Sequence, residues 1–282
     1  GSALAQRGVA DRLDLFLRNQ ETRMEELLVV VDGRADELLA TEMSQDKISG
    51  MFLWRVMRKL AEVSPHYPVR IQDFVSRILE ETTAPAVPIV TLVETEGKNK
   101  IEISGIAVFK GDRMIGQLNN DDIQGFLWAM GDVKQGRIIT ETDSGIALLE
   151  IVKLDCQREV KLRQDGGVTV GLDVDGTAAI GELRGFRNMT PEELLPHLVV
   201  TAQNEIRREI RRTFETAQKL NADIYGIGTS VYRKYPGEWR EMKKQWIDLF
   251  PETTLDIKVK VRIPSTGQAV ESLEMEANPL EN

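Results

Sequence analysis

The sequence predicts a multi-domain α+β protein built from antiparallel and mixed sheets with helices packed on one face. Apolar and charged residues alternate over residues 152–162 and again over residues 255–263, which is the two-residue period of a strand half open to water. Between these stretches, apolar residues recur every three or four positions from Leu194 to Leu220, which predicts one long amphipathic helix. The C-terminal domain is therefore predicted as a meander of three strands, a long helix, two shorter helices and a last strand.

Length and composition exclude several classes of protein. The 282 residues are enough for two or three compact cores. A net charge of -9 argues against nucleic acid or anionic lipid as the main partner. Cys156 is the single cysteine, so neither an internal disulfide nor a cysteine-based zinc site can form. No run approaches the roughly 18 apolar residues of a membrane-spanning helix.

Three domains are predicted along the chain, and the first covers residues 1–88. It has the composition of an α/β domain cut at its start, with a strand over residues 26–31. Helices are predicted at four places, over residues 3–18, 35–39, 48–60 and 71–79. The opening Gly1-Ser2 resembles the scar of a removed tag, so we expect the chain to lack its signal sequence. Residues 82–88, TTAPAVP, predict a linker to the next domain.

A small α+β domain is predicted over residues 89–143. Its strands are expected at four places, over residues 89–93, 100–110, 114–118 and 137–140. The second and third of these are joined by a turn at Gly111-Asp112, because glycine and aspartate favour tight turns. A helix is expected over residues 121–130, so this domain places one helix beside a short sheet.

The C-terminal domain, residues 144–282, begins with the predicted meander. Val152, Leu154, Cys156, Val160 and Leu162 are expected on its inward face. Turns are expected at Asp165-Gly166-Gly167 and at Asp175-Gly176, and the strand between them points Val168, Val170, Leu172 and Val174 inward. The long helix is predicted to begin at Thr190, which is followed by Pro191 and by Glu193 as the capping-box glutamate. The last strand is expected to be antiparallel or at an edge.

Most of the aromatic residues in the C-terminal part lie between the long helix and the last strand. Asp223 predicts the N-cap of a short helix, and Tyr235-Pro236 breaks the chain and starts another. Trp239 and Trp246 fall on the apolar stripe of this second helical stretch, which Pro251 ends. Two tryptophans on one stripe must be buried against something large, so we expect them to fill a core.

Gly226 and Gly228 lie within the first of these predicted short helices. A phosphate-binding loop would need a third glycine and a strand leading into the motif, and both are missing. Glycine's small size at a close helix crossing is the better explanation.

The lack of any recognised catalytic motif predicts that the chain is not an enzyme. The two histidines, His66 and His197, belong to no metal-ligand spacing, and no nucleophile elbow or P-loop occurs. Four arginines of the long helix form the one dense basic run: Arg207, Arg208, Arg211 and Arg212. Glutamates three or four residues away predict ion pairs on a solvated helix face rather than a nucleic-acid site. We therefore expect no cofactor, no metal and no nucleic acid.

Three ordered motifs stand out along the chain. The first is Ala222-Asp223-Ile224, Gly226-Ile227-Gly228, Tyr232-Arg233-Lys234-Tyr235-Pro236, Trp239, Trp246 and Phe250-Pro251, followed by a strand ending near Thr266-Gly267. The second is ISGIAVFKGDRMIGQL, residues 103–118, with Gly105, Phe109, Gly111, Asp112 and Gly116. The third is the helical segment over residues 125–131 with Trp128. These motifs cover most of residues 100–267, and their order is more specific than any single piece. Together they resemble the Ger(x)C family, the lipoprotein C subunits of spore germinant receptors.

The resemblance implies a non-enzymatic subunit of a nutrient receptor that is required for spore germination. It implies a lipid anchor at the N-terminus that holds the protein on the outer face of the spore inner membrane, beside an A-type and a B-type integral membrane subunit. The motif residues are expected to be structural: the glycines set a hairpin and the tryptophans fill a core. Two alternatives remain open, a module that itself captures a small nutrient and an unrecognised hydrolase.

Overall fold

A computed structural model describes most of the chain, namely residues 1–18, 26–41, 49–63, 68–80, 82–131, 133–186 and 189–264. Two features singled out above lie outside these described residues, His66 and Thr266-Gly267. The ten α-helices described are α1 Ser2–Arg7, α2 Ala10–Arg18, α3 Ala35–Ala40, α4 Ser49–Val63, α5 Ile71–Leu79, α6 Asn120–Met130, α7 Pro191–Lys219, α8 Ile227–Lys234, α9 Pro236–Met242 and α10 Trp246–Leu249. The strands described are β1 Leu27–Leu28, β2 Val30–Val31, β3 Val69–Arg70, β4 Ala86–Thr95, β5 Lys98–Lys110, β6 Arg113–Asn119, β7 Gly136–Thr142, β8 Gly145–Leu162, β9 Val168–Gly185 and β10 Thr254–Arg262. A 3₁₀ turn, Lys243–Gln245, joins α9 to α10.

The N-terminal sheet has the strand order β2-β4-β5-β6, and β1 pairs separately with β3. Strand β2 lies parallel to β4, while β4, β5 and β6 are antiparallel. The predicted linker over residues 82–88 is wrong in its second half, because β4 already begins at Ala86. Ala86, Val87, Ile89 and Val90 are all buried, so the apolar run is covered on both faces of the sheet. That burial outweighs the lost hydrogen-bond donor of Pro88.

The C-terminal sheet has the order β10-β9-β8-β7, and α7 packs against it. Strands β7, β8 and β9 form an antiparallel meander, and the prediction of a meander, a long helix, short helices and a last strand is confirmed. Strand β10 is an edge strand and lies parallel to β9, so the antiparallel alternative is wrong. The four helices between β9 and β10 carry the chain back to the starting end of β9, which makes a parallel pairing possible.

Two local predictions within this meander are wrong. Asp175-Gly176 makes no turn, because β9 runs unbroken through it and the inward alternation from Val174 to Ala178 continues. Val152 is exposed rather than inward, since the pairing of β8 with β9 shifts register between Ile151 and Lys153. One extra residue at such a bulge moves the following side chains to the opposite face.

One continuous hydrophobic core links the two sheets. It runs from Ile106 and Leu118 of the N-terminal sheet through Trp128 of α6 to the buried stripe of α7 and the inward residues of β8 and β9. Strand β7, which the predicted middle domain contained, pairs along its whole length with β8. The boundaries after residues 88 and 143 remain predictions.

Helices α6 and α7 meet through a partly buried polar pair. Trp128 is almost completely buried, and its Nε1 donates a 2.6 Å hydrogen bond to Oε2 of Glu209 on α7. Gly125 allows this approach, because a Cβ there would lie 2.2 Å from the Glu209 carbonyl oxygen. Burial raises the pKa of Glu209 to about 7, although the Trp128 hydrogen bond favours the charged form.

Replacing Glu209 with glutamine should therefore change how stability depends on pH. The folded protein holds the Glu209 proton more tightly than the unfolded chain does, so this group's contribution to stability is lost as pH rises through 7. Glutamine stays neutral and can still accept from Trp128. We expect Glu209→Gln to have a higher melting temperature than the parent at pH 8, with the difference shrinking towards pH 5.

The matched control is Glu215→Gln, which changes an exposed glutamate on the same helix. Melting curves between pH 5 and pH 8 should show no such pH-dependent gain for it. A Glu209→Gln variant that is less stable than the parent at pH 8 would contradict the prediction.

Candidate functional site

The N-terminal and C-terminal parts are held together by a joint, which we define as residues 82–84 and 222–229. The Ala84 amide donates to the Asp223 carbonyl oxygen at 2.9 Å. The hydroxyl oxygens of Thr83 and Thr229 lie 3.1 Å apart and share a hydrogen bond. These contacts join positions about half the chain apart in sequence, so the joint forms only when both parts have folded.

Asp223 is the buried centre of the joint. Its carboxylate accepts from the Ile227 amide at 2.9 Å and from the Gly228 amide at 2.7 Å, which satisfies the first free N–H groups of α8. The helix begins at Ile227, not directly after Asp223 as predicted, and Gly226 occupies the N-cap position. Gly226 has a φ of 67°, a left-handed conformation that glycine adopts without strain. Burial raises the pKa of Asp223, and the two amide hydrogen bonds oppose that rise.

Two arginines from different elements hold the loop that follows Asp223. Arg77 of α5 lies 3.5 Å from the Ile224 carbonyl oxygen, and Arg158 of β8 donates to the Tyr225 carbonyl oxygen. Burial lowers the pKa of Arg77, and neighbouring carboxylates, Glu80 foremost, oppose this effect. The Tyr225 hydroxyl is buried without a hydrogen-bond partner among the described residues, and burial raises its pKa.

Gly228 lets two indole rings approach the start of α8. A Cβ at this position would lie 2.9 Å from Trp239, 3.0 Å from Trp246 and 3.0 Å from Thr82. The two rings pack edge to face with centroids 5.2 Å apart. A small residue at a close approach was predicted at both glycines. Gly228 lies at such an approach, whereas Gly226 is needed for its left-handed backbone conformation.

The paired tryptophans belong to a larger aromatic cluster. Trp246 contacts Phe250 with centroids 6.2 Å apart, and Phe250 contacts Phe214 of α7 at 6.1 Å. Both indoles are buried, so the structure places them in the core as expected. Pro236 is the first residue of α9 after Tyr235, and Pro251 follows the end of α10, where the sequence placed a break and a stop.

The glycines of the second motif shape the β5–β6 hairpin. Gly111 lies in its turn with a φ of 57°. Gly105 faces the Leu118 carbonyl oxygen, which a Cβ would approach to 2.4 Å, and Gly116 leaves room for the Leu220 side chain at the end of α7. Each therefore has a steric or conformational reason to lack a side chain.

The two other residues of that motif secure the hairpin from the N-terminal side. Phe109 is buried and packs edge on against Phe74 of α5, with centroids 5.0 Å apart. The Asp112 carboxylate accepts from the Ala10 amide at 3.1 Å, and its carbonyl oxygen accepts from the Val9 amide at 3.1 Å. The hairpin tip is thus attached to the start of α2.

A cleft of about 370 Å³ opens beside the joint and brings the first two motifs together. Six of the motif residues named above line it: Phe109, Gly111, Ala222, Asp223, Trp246 and Phe250. The sequence analysis gave no role to its other charged lining residues: Arg77, Glu80, Lys110, Lys243 and Lys244. They come from three separate segments, so no local pattern could have grouped them. Trp128, from the third motif, lies instead beside a separate cavity under α6.

The described residues contain no cluster of metal ligands. No three histidine, cysteine, aspartate or glutamate side chains among them lie close enough to hold a metal ion. His197 has a buried Nε2 without a partner in the described part of the chain and packs against Phe186. None of the described helices is long and apolar enough to cross a membrane.

Comparison with known proteins identifies the family of this chain. Residues 104–267 match the family model described as "Spore germination B3/ GerAC like, C-terminal", and residues 1–92 match the "Spore germination protein N-terminal domain". The chain belongs to the GerAC-like spore germination family. The resemblance to the Ger(x)C family is thereby confirmed.

Relatives of the GerAC-like chain are spore germination proteins of Bacillus subtilis (strain 168). The putative spore germination protein YfkR is 23% identical over 95% of this chain and 70% of its own length. Spore germination protein KC is 24% identical over 71% of this chain and 53% of its own length. The chain thus spans little more than half of the second relative.

A solved structure has the same fold as this GerAC-like chain. The crystal structure of the GerBC protein superposes on this chain with a TM-score of 0.74 and 18% sequence identity. The superposition covers 94% of this chain and 77% of the GerBC chain. The α+β fold class is confirmed by this likeness.

The close approach at Gly228 predicts a position-specific effect of alanine. Gly228→Ala forces a Cβ against two indoles and should lower the free energy of unfolding by about 1–3 kcal/mol. Gly237 in α9 has open space around it, so Gly237→Ala should be neutral or stabilise by up to about 1 kcal/mol. Urea denaturation measures both, and equal effects of the two substitutions would contradict the prediction.

The burial of Trp246 predicts a large cost of truncation. Trp246→Ala should destabilise by about 3–5 kcal/mol, because it leaves a cavity between Trp239 and Phe250. Tyr232→Ala is the matched control, since this aromatic of α8 is 56% exposed and should cost less than about 1 kcal/mol. An unchanged melting temperature for Trp246→Ala would show that the indole is not a core residue.

Proposed function

We propose that the chain is the non-enzymatic C subunit of a nutrient germinant receptor and acts with an A-type and a B-type integral membrane subunit. The supporting observation is family membership in both parts of the chain, residues 1–92 and 104–267. Two relatives with similar sequences are themselves named spore germination proteins. The protein would be required for spore germination in response to a nutrient.

The roles of the motif residues agree with a subunit that acts by binding rather than by catalysis. In the joint and the hairpin, the motif side chains satisfy backbone amides, fill a core or leave space for a neighbour. Asp223 and Asp112 use their carboxylates on backbone N–H groups, which leaves neither as an obvious general base. We propose that the motifs fix the relative position of the two parts.

The proposed location is the outer face of the spore inner membrane. The full-length protein would be held there by a lipid on a cysteine near its N-terminus. The single cysteine present, Cys156, is unsuited to that role because it lies within β8 and packs partly against the core.

A pull-down from spore membranes tests the receptor proposal. The full-length lipid-anchored protein with an affinity tag should recover one A-type and one B-type membrane subunit, identified by mass spectrometry after detergent extraction. A variant whose lipid-bearing cysteine is changed to serine should lose membrane association. Recovery of no membrane protein above the level of an unrelated tagged lipoprotein would refute the proposal.

A second candidate function is capture of a small ligand by this chain. The cleft beside the joint favours it, because it combines apolar walls with several charged groups from different segments. This function is compatible with a receptor subunit but does not require one.

A further inference from the structure

The cleft beside the joint is more positive than the rest of the chain. Four cations line it, Arg77, Lys110, Lys243 and Lys244, against two carboxylates, Glu80 and Asp223. The whole chain carries a net charge of -9, so a surplus of cations in one concave place is a local feature. The Asp223 carboxylate is occupied by the Ile227 and Gly228 amides, which reduces its repulsion of an incoming anion.

Arg77 is the least exposed of these four cations. Its guanidinium is largely withdrawn from water, which lowers its pKa. Among the described residues it has one long hydrogen bond, to the Ile224 carbonyl oxygen, and no carboxylate at ion-pairing distance. A desolvated guanidinium without a carboxylate at ion-pairing distance is costly, and a bound anion would offset that cost through charge-assisted hydrogen bonds.

The walls of the cleft supply apolar surface. Trp246 Nε1 is buried and directed at the Asp223 carboxylate, so the indole offers the cleft its ring and not its N–H. Phe109, Ile247 and Phe250 provide apolar walls beside it. A ligand that suits both the cations and these walls has a negatively charged head and an apolar body.

We infer that this cleft binds a small carboxylate with an apolar body, its head against Arg77 and the neighbouring lysines and its body against Trp246 and Phe250. The volume of about 370 Å³ is at the lower end for small-molecule sites, so the ligand is limited to a small molecule. The inference rests on the second candidate function and names its ligand class. It is independent of the receptor proposal, because the pull-down would give the same result with an empty cleft.

Titration with three probes tests the charge and the shape of the ligand. Hexanoate, hexanamide and inorganic phosphate are added to the folded chain while tryptophan fluorescence and heat are recorded. We expect saturable binding of hexanoate, at least about tenfold tighter than hexanamide, because the neutral amide forms no charge-assisted bond. Phosphate should bind more weakly than hexanoate, since it has no apolar body. Absence of saturation by hexanoate, or equal affinity for hexanamide or phosphate, would overturn the inference.

Variants locate the binding. Arg77→Gln should weaken hexanoate binding by about tenfold or more, and Lys110→Gln should weaken it by a smaller factor. Lys110 is exposed at the hairpin turn, so Lys110→Gln should fold normally. If Arg77→Gln does not fold, the affinity of Lys110→Gln for hexanoate tests whether the cleft is the binding site. Arg240→Gln is the matched control, because this exposed arginine lies on the same side in α9 but outside the cleft. Binding that is unchanged in Lys110→Gln, or reduced equally in Arg240→Gln, would show that the cleft is not the site.

Discussion

The fold depends on one buried carboxylate that serves both halves of the chain. A carboxylate withdrawn from water must be compensated, and Asp223 is compensated by two amides of α8 and by the field of Arg158. Its own carbonyl oxygen accepts from Ala84 just before β4. The geometry that satisfies the side chain therefore also fixes where the N-terminal sheet attaches. Gly228, whose amide is one of the two donors, also leaves room there for two indoles.

Sequence patterns identified those elements whose signal is local. The long helix was predictable because its capping box and its apolar stripe lie within one continuous stretch of sequence. The structure contains this capping box, in which the Thr190 amide donates to the Glu193 carboxylate at 3.0 Å. The bulge beside Val152 was not predictable, because it exists only in the pairing of β8 with β9. The parallel direction of β10 was hidden for a similar reason: it depends on the path of four intervening helices.

In the candidate site too, the sequence indicated individual residues but not the contacts between distant segments. Asp223, Trp246 and Phe109 stood out as motif residues, yet nothing local indicates that the motifs meet around one cleft. Thr83 and Thr229, which help to close the joint, are 146 positions apart. The charged lining of the cleft was overlooked because exposed lysines such as Lys110 are common on any surface. Only their convergence beside Arg77 distinguishes them, and convergence is a property of the folded chain.

The parallel edge strand has a consequence for how the protein is made. Residue 254 pairs opposite residue 169, so β10 closes the C-terminal sheet across 85 positions of chain. During synthesis β9 leaves the ribosome long before β10 and remains an open edge in the meantime, with unpaired backbone groups beside Val170, Leu172 and Val174. The intervening helices can shield the apolar face but not that edge. A nascent or shortened chain ending before residue 254 is consequently prone to strand-to-strand association with other copies.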